Sequence, residues 1–119
     1  MKKENVVKDK SFAFAIRIVN LFKLLRERKE FVLSKQLLRS GTAIGALVRE
    51  SEHAQSRADF INKLSIALKE ANETEYWILL LRRTDYISQM EFDSIVQDCR
   101  AIVRILISIV RTSKLNING

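Results

Sequence analysis

Proline is absent from this chain, and glycine occurs only at Gly41, Gly45 and Gly119. These are the residues that most reliably interrupt regular backbone. With so few of them the elements must be long and the turns short, which favours helices over strands. The chain has 119 residues, enough for one domain with a real core and too few for two. Hydrophobic residues make up 47% and charged residues 29%, the balance of a folded protein rather than a disordered one.

Hydrophobic spacing and cap signals divide the chain into four helices, at about 11–28, 34–55, 57–83 and 88–112. Ser34 is placed to cap the second helix. Ser56 and Asp59 have capping-box spacing before the third, and Ser88 and Glu91 form a fuller box before the fourth. Arg82, Arg83 and Arg111 fall in last turns, where they suit the negative end of the helix dipole. Connections of a few residues predict antiparallel neighbours, an all-α up-down-up-down four-helix bundle spanning residues 1–119.

The apolar residues exceed what a lone bundle is expected to hide. In the fourth helix, Ile95, Val96, Cys99, Ile102, Val103, Ile105, Leu106, Ile109 and Val110 spread over roughly 180°, against about 100° for an ordinary surface helix. The inner part, around Cys99, Ile102 and Leu106, reads as core. The flanks, Ile105 on one side and Val96 and Val103 on the other, read as contacts with other subunits. The first helix carries two stripes on opposite sides. Phe12, Ala15, Ile16, Val19 and Phe22 form one, and Phe14, Ile18, Leu21 and Leu25 the other. One can face the bundle, and the other needs a further partner, so a homo-oligomer is expected. The third helix has a single stripe of Phe60, Leu64, Ala67, Leu68, Ala71 and Ile78. The second has Leu37, Gly41, Ile44 and Val48. Glycine inside a helix costs about 1 kcal/mol relative to alanine, so Gly41 and Gly45 predict the close approach of another helix.

Net charge is +7, with an isoelectric point near 9.9. An anionic partner such as nucleic acid accounts for this, and so does solubility alone. Residues 1–30 hold nine Lys/Arg against four acids, which places the excess on the first helix and its flanks. Lys23, Arg26, Arg28 and Lys29, followed by Lys35 and Arg39, are the candidates for phosphate contacts. Binding by them would be salt-sensitive and independent of sequence. Neither a helix-turn-helix nor an aromatic stacking motif accompanies them.

The remaining chemistry-bearing residues read as structural. His53 is the sole histidine and reads as a solvated helix residue. Cys99 reads as a buried small hydrophobe, not a nucleophile. Glu75 lies beside the apolar stripe of its helix and needs a cation, from Arg39, Arg49 or a partner subunit. Glu50 and His53 stand once at the spacing of a di-metal bundle, which needs that motif twice. No catalytic constellation, metal or cofactor is expected. A single cysteine suits the cytoplasm, the charged N-terminus lacks the apolar core of a signal peptide, and no uncharged run is long enough for a membrane span.

The segments QLLRSGTAIGALVRE (36–50) and ADFINKLSIALKEANETE (58–75) resemble the four-helix bundle proteins encoded in bacterial 23S rRNA intervening sequences. In the second helix Gln36, Leu37, Arg39, Ile44, Val48 and Glu50 fit the family pattern. In the third, Phe60, Ile61, Leu64, Ile66, Ala67, Leu68, Asn72, Glu73 and Glu75 fit. Leu47 and Ser51 stand where the family often has asparagine and glycine. The resemblance implies an all-α bundle assembled as a ring, a pentamer, without enzyme activity. The accessory protein of diversity-generating retroelements is related to this family, and that branch binds nucleic acid and a reverse transcriptase. Two readings follow. One is a non-enzymatic homo-oligomer that binds RNA or DNA through Arg26, Arg28, Lys29, Lys35 and Arg39. The other is a structural adaptor that holds a protein partner.

Overall fold

In the computed structural model, which describes residues 2–118, four helices run alternately up and down the bundle: α1 (Lys3–Glu27), α2 (Leu33–Ser51), α3 (Arg57–Arg83) and α4 (Gln89–Asn118). They pack in a square, each against two neighbours, with α4 returning to lie beside α1. The bundle measures 50 × 22 × 22 Å. Here "upper" denotes the end that holds the α1–α2 and α3–α4 turns.

The core is the inward stripe of each helix. Phe14, Ile18 and Leu25 of α1, Leu37 and Ile44 of α2, Leu64 and Ile78 of α3, and Ile102 and Leu106 of α4 are all sealed from solvent. The helices differ from the sequence reading mainly at their ends. α1 begins eight residues earlier, because Val7 falls on the core stripe one turn before Ser11 and both are buried. α2 stops at Ser51 rather than Gln55. α4 continues past Thr112, with Ser113 buried, so Arg111 is not in its last turn.

The wide apolar face of α4 needs no second chain. Val96 and Ile109 are 2% and 4% exposed within one chain, while Val103 and Ile105 pack partly buried against the core. A helix in a square bundle touches two neighbours about a right angle apart, and α1 and α3 between them cover both flanks. The surplus lies instead on α1, where Phe12 is 55% and Ile16 50% exposed. At the upper end Phe31 and Val32 are exposed as well.

The glycines of α2 allow α1 to approach closely. A methyl group on Gly41 would stand 2.8 Å from both Cγ atoms of Ile18, and one on Gly45 would stand 3.3 Å from the carbonyl oxygen of Ser11. Across the other side of α2, the buried Thr74 hydroxyl donates to Ser40 Oγ at 2.9 Å.

Caps fix the helix starts. Asp59 N–H donates to Ser56 Oγ at 3.0 Å, and Gln55 N–H to the Asp59 carboxylate at 3.2 Å. At α4 the reciprocal box is complete: Glu91 N–H to Ser88 Oγ at 3.1 Å, and Ser88 N–H to Glu91 Oε1 at 2.8 Å. Ser34 does not cap α2. It lies inside the helix and donates to the carbonyl of Glu30, whose buried carboxylate accepts the N–H groups of Val32 and Ser34. The longer glutamate reaches the open amides from the turn, and this frees Ser34 to face inward.

Helices α1 and α3 end alike, on left-handed residues, Lys29 at φ 65° and Asp85 at φ 66°. Glu30 N–H then reaches back to Leu25, and Tyr86 N–H to Leu81. Glycine is the usual occupant of this position, since a side chain there adds roughly 1 kcal/mol of strain.

Three outcomes follow from this packing and capping. Lys29→Gly should stabilise the fold by about 1 kcal/mol, read as a higher urea midpoint. Gly41→Ala should destabilise it by about 1–3 kcal/mol despite alanine's better helix propensity, because Ile18 must move; an unchanged midpoint would contradict the close contact. The third concerns pH. Arg28, with the backbone N–H of Ser88, holds the Glu91 carboxyl down to about 2, against an ordinary value of 4.5. Burial pushes the Glu30 carboxyl up, but hydrogen bonds from Ser34, Leu33 and Val32 outweigh it and the net shift is downward. Both groups therefore contribute stability above about pH 4.5 that is lost as pH falls toward 2. Thermal melts should show that decline, and Glu91→Gln should flatten it.

Candidate nucleic-acid interface

The five cations singled out in the sequence do not form one surface. Arg26, in the last turn of α1, is exposed, and its guanidinium stacks over the rings of Phe22 at 5.6 Å and Phe31 at 5.4 Å. Arg28 turns the other way, toward α4. It donates to both oxygens of Glu91 at 2.9 and 2.8 Å and to the carbonyl of Tyr86 at 2.7 Å. A forked pair with a third bond of this kind is geometrically saturated, so Arg28 ties the end of α1 to the start of α4.

Arg39 is likewise committed. It bonds Glu70 at 2.7 Å and Glu73 on α3, and Glu73 also accepts from the indole N–H of Trp77 at 3.1 Å. The Trp77 bond and Arg39 together hold the Glu73 carboxyl below its usual range against the effect of burial. Lys29 and Lys35 are exposed, and among the described residues neither they nor Arg26 enter an ion pair. The structure thus keeps Arg26, Lys29 and Lys35 together around the α1–α2 turn and sends Arg28 and Arg39 into contacts between helices. Sequence spacing alone could not show this, because the acids involved lie 31 to 63 residues away.

Glu75 finds its cation on α4, not on α2: Arg100 bonds it at 3.3 Å. Arg39 and Arg49 face elsewhere, the latter stacked over Phe12 at 5.4 Å. Cys99 is buried, with its sulfur donating to the carbonyl of Ala71 at 3.3 Å, and burial pushes its thiol up to about 12. A thiol held there is not a nucleophile near neutral pH. His53 is exposed in the turn after α2, and among the described residues no cluster of His, Cys, Asp and Glu could hold a metal ion.

Two of the surface hollows lie toward opposite ends of the bundle. One, about 430 Å³, lies between the upper halves of α1 and α4, with Leu21, Leu24, Ile87 and Ile95 at its base and Arg17 and Glu91 at its rim. The other, about 670 Å³, lies at the lower end, where Val7, Ser51, Arg57 and Phe60 come together. A further group of cations, which the sequence reading passed over, lies on the lower half of α4: Arg104, Arg111 and Lys114 are exposed there. Its signal was legible, since no Asp or Glu follows Asp98 in the chain. No described helix is long and apolar enough to cross a membrane.

Comparison with known proteins places this bundle. A solved structure from Bacteroides thetaiotaomicron VPI-5482, described as a protein with unknown function from the S23 ribosomal protein family, is 66% identical and superposes with a TM-score of 0.90. The match covers 92% of this chain and 99% of that one. No curated protein matches the chain. The family model described as 23S rRNA-intervening sequence protein matches residues 3–108, and the chain belongs to that family.

Proposed function

We propose that this protein is a non-enzymatic helical module that works as a closed homo-oligomer, a ring of five copies being the number its family resemblance implies. The observation that carries the assembly is the outward stripe of α1. Phe12 and Ile16, one turn apart, are each about half exposed, and Phe31 and Val32 are exposed in the α1–α2 turn. Single apolar residues on a surface are ordinary, but two large exposed ones on adjacent turns, beside the half-buried Val19 and Phe22, invite a partner. The flanking cations fit the same use. The guanidinium of Arg26 sits over the rings of Phe22 and Phe31 and that of Arg49 over Phe12, as they would at the rim of a buried apolar contact.

The non-enzymatic reading has support in the shifted groups themselves. Glu91, Glu30 and Glu73 are shifted by caps and ion pairs that hold helices together, and the Cys99 thiol is pushed up by burial. Each shift is spent on the fold. A nucleic-acid role at the α1–α2 turn rests on three free cations instead of five, and the assembly reading stands on more. Within a ring, each copy would hold its remaining faces toward a partner, as an adaptor does.

Light scattering should give a mass several times the 13.8 kDa of one chain. Phe12→Glu with Ile16→Glu should reduce it to that of a single chain while the helical circular dichroism persists, because both side chains already face solvent. Wild-type protein that runs as a monomer at micromolar concentration overturns the proposal. So does a doubly substituted variant that stays assembled. Charged substitution at Ile109 is not a test of assembly, since its side chain is core within one chain.

A further inference from the structure

The lower half of α4 is cationic without relief. From Cys99 to Asn118 the helix carries Arg100, Arg104, Arg111 and Lys114 and not one acid. Arg100 is held by Glu75, but Arg104, Arg111 and Lys114 are exposed and, among the described residues, form no ion pair. Arg104 and Arg111 are seven residues apart, which places them on one face of the helix about 10 Å apart along its axis. Lys114 follows one turn below. Asp98, the last acid of α4, is neutralised by Arg17 at 2.6 Å.

Helix α1 adds to this face. Lys10 lines the same seam as Ala101 and Asp98, and Lys3 donates to Ser108. The α1 acids nearby, Glu4 and Asp9, are set about 100° around the helix from these lysines. The face is therefore a straight helical ridge of cations with a second row of cations beside it.

The chemistry that fits such a ridge is a polyanion with regularly spaced charges. Ile107 and Leu115 are its only large exposed apolar side chains among the described residues, too few and too far apart to form the core of a protein interface or to insert into lipid. The large exposed aromatics lie elsewhere: Phe12 against α2, Phe31 in the α1–α2 turn and Tyr76 on α3. A single strand would therefore find no stacking platform here. The major groove of B-form DNA, about 12 Å wide, admits a helix, whereas that of A-form RNA is too deep and narrow for side chains to enter.

We propose that the lower α4 ridge lies along the major groove of double-stranded DNA, its cations on the flanking phosphates and Lys10 beside them, without regard to base sequence. This is a different surface from the α1–α2 turn, and it does not depend on the homo-oligomeric reading. Fluorescence anisotropy of the full chain with labelled mixed-sequence duplexes of about 20 base pairs, over about 50–200 mM salt, tests it. Wild-type protein should bind two unrelated duplexes alike, with affinity that falls steeply as salt rises. Arg104→Glu with Arg111→Glu should weaken binding about tenfold or more at the lowest salt and reduce the log–log salt slope by about 2. The Arg104→Gln, Arg111→Gln pair should lie between, and circular dichroism should report an intact fold for both.

Arg26→Glu with Lys29→Glu, at the other end of the bundle, should leave binding unchanged. The proposal is overturned if wild-type protein does not bind at the lowest salt, or if the ridge variant binds like wild type. Loss of binding in the Arg26, Lys29 pair instead also overturns it, as does preference for duplex RNA or phosphatidylserine vesicles over DNA. Should Phe12→Glu, Ile16→Glu show that assembly fails as a reading while Arg104 and Arg111 still govern DNA affinity, the present inference stands alone.

Discussion

The seating of Ile18 on Gly41 sets the rotation of α1, and much of the surface chemistry follows from that rotation. With Ile18 pressed into the gap left by the missing side chain, Phe14, Leu21 and Leu25 align toward the core on the same stripe. Phe12 and Ile16 are then turned out, because residues two positions from a core residue in a helix lie on the far side. Gly45 extends the same close approach one turn further, against the backbone of Ser11. The helix penalty of two glycines is offset by a contact that fixes which of two competing apolar stripes is buried. α1 has two nearly equivalent faces, and α2 selects between them.

At the upper end of the bundle the charges serve the helix termini. Glu30 caps α2 from the preceding turn, Glu91 caps α4, and Arg28 completes Glu91 from α1. Arg39 does comparable work halfway down, joining α2 to two carboxylates of α3. These pairs are partly exposed, and exposed pairs contribute modestly to stability. Their larger effect is on what remains of the positive charge. Neutralising Arg28 and Arg39 against Glu91, Glu70 and Glu73 empties the middle of the cluster that the sequence suggested, while the lower part of α4, with no acid of its own, keeps its cations.

The helices were legible because their signals are local. Stripes at 3.6-residue spacing, the Ser56 and Ser88 capping boxes and the scarcity of breakers each act within a turn or two. The reading of α3 as Phe60, Leu64, Ala67, Leu68, Ala71 and Ile78 matches residues that are buried or packed against the core. What escaped depends on neighbours distant in sequence. The breadth of the α4 stripe was right, but its cause was the corner position between α1 and α3, which no single helix reveals. The start of α1 was hidden by lysines whose backbone nonetheless continues the helix that buries Val7. The candidate cations suffered most, since a basic residue in sequence is a free charge only if the fold brings no carboxylate to it. The run without acids after Asp98 is in plain view, but a count that sets residues 1–30 against the rest of the chain averages it away.

The clamp between Arg28 and Glu91 joins residues 63 positions apart, and it lies on the seam between the first and last helices. The other three seams join consecutive helices through short turns, so each can close as a local hairpin. The α1–α4 seam has the largest loop to close and is the loosest of the four. By loop-closure entropy the three hairpin contacts cost least to form, and the contact of α4 with α1 costs most. That seam also carries the 430 Å³ hollow at Leu21, Leu24 and Ile95. The seam with the longest loop to close is thus also one with a solvent-open hollow in it, and the Arg28–Glu91 pair holds its upper end.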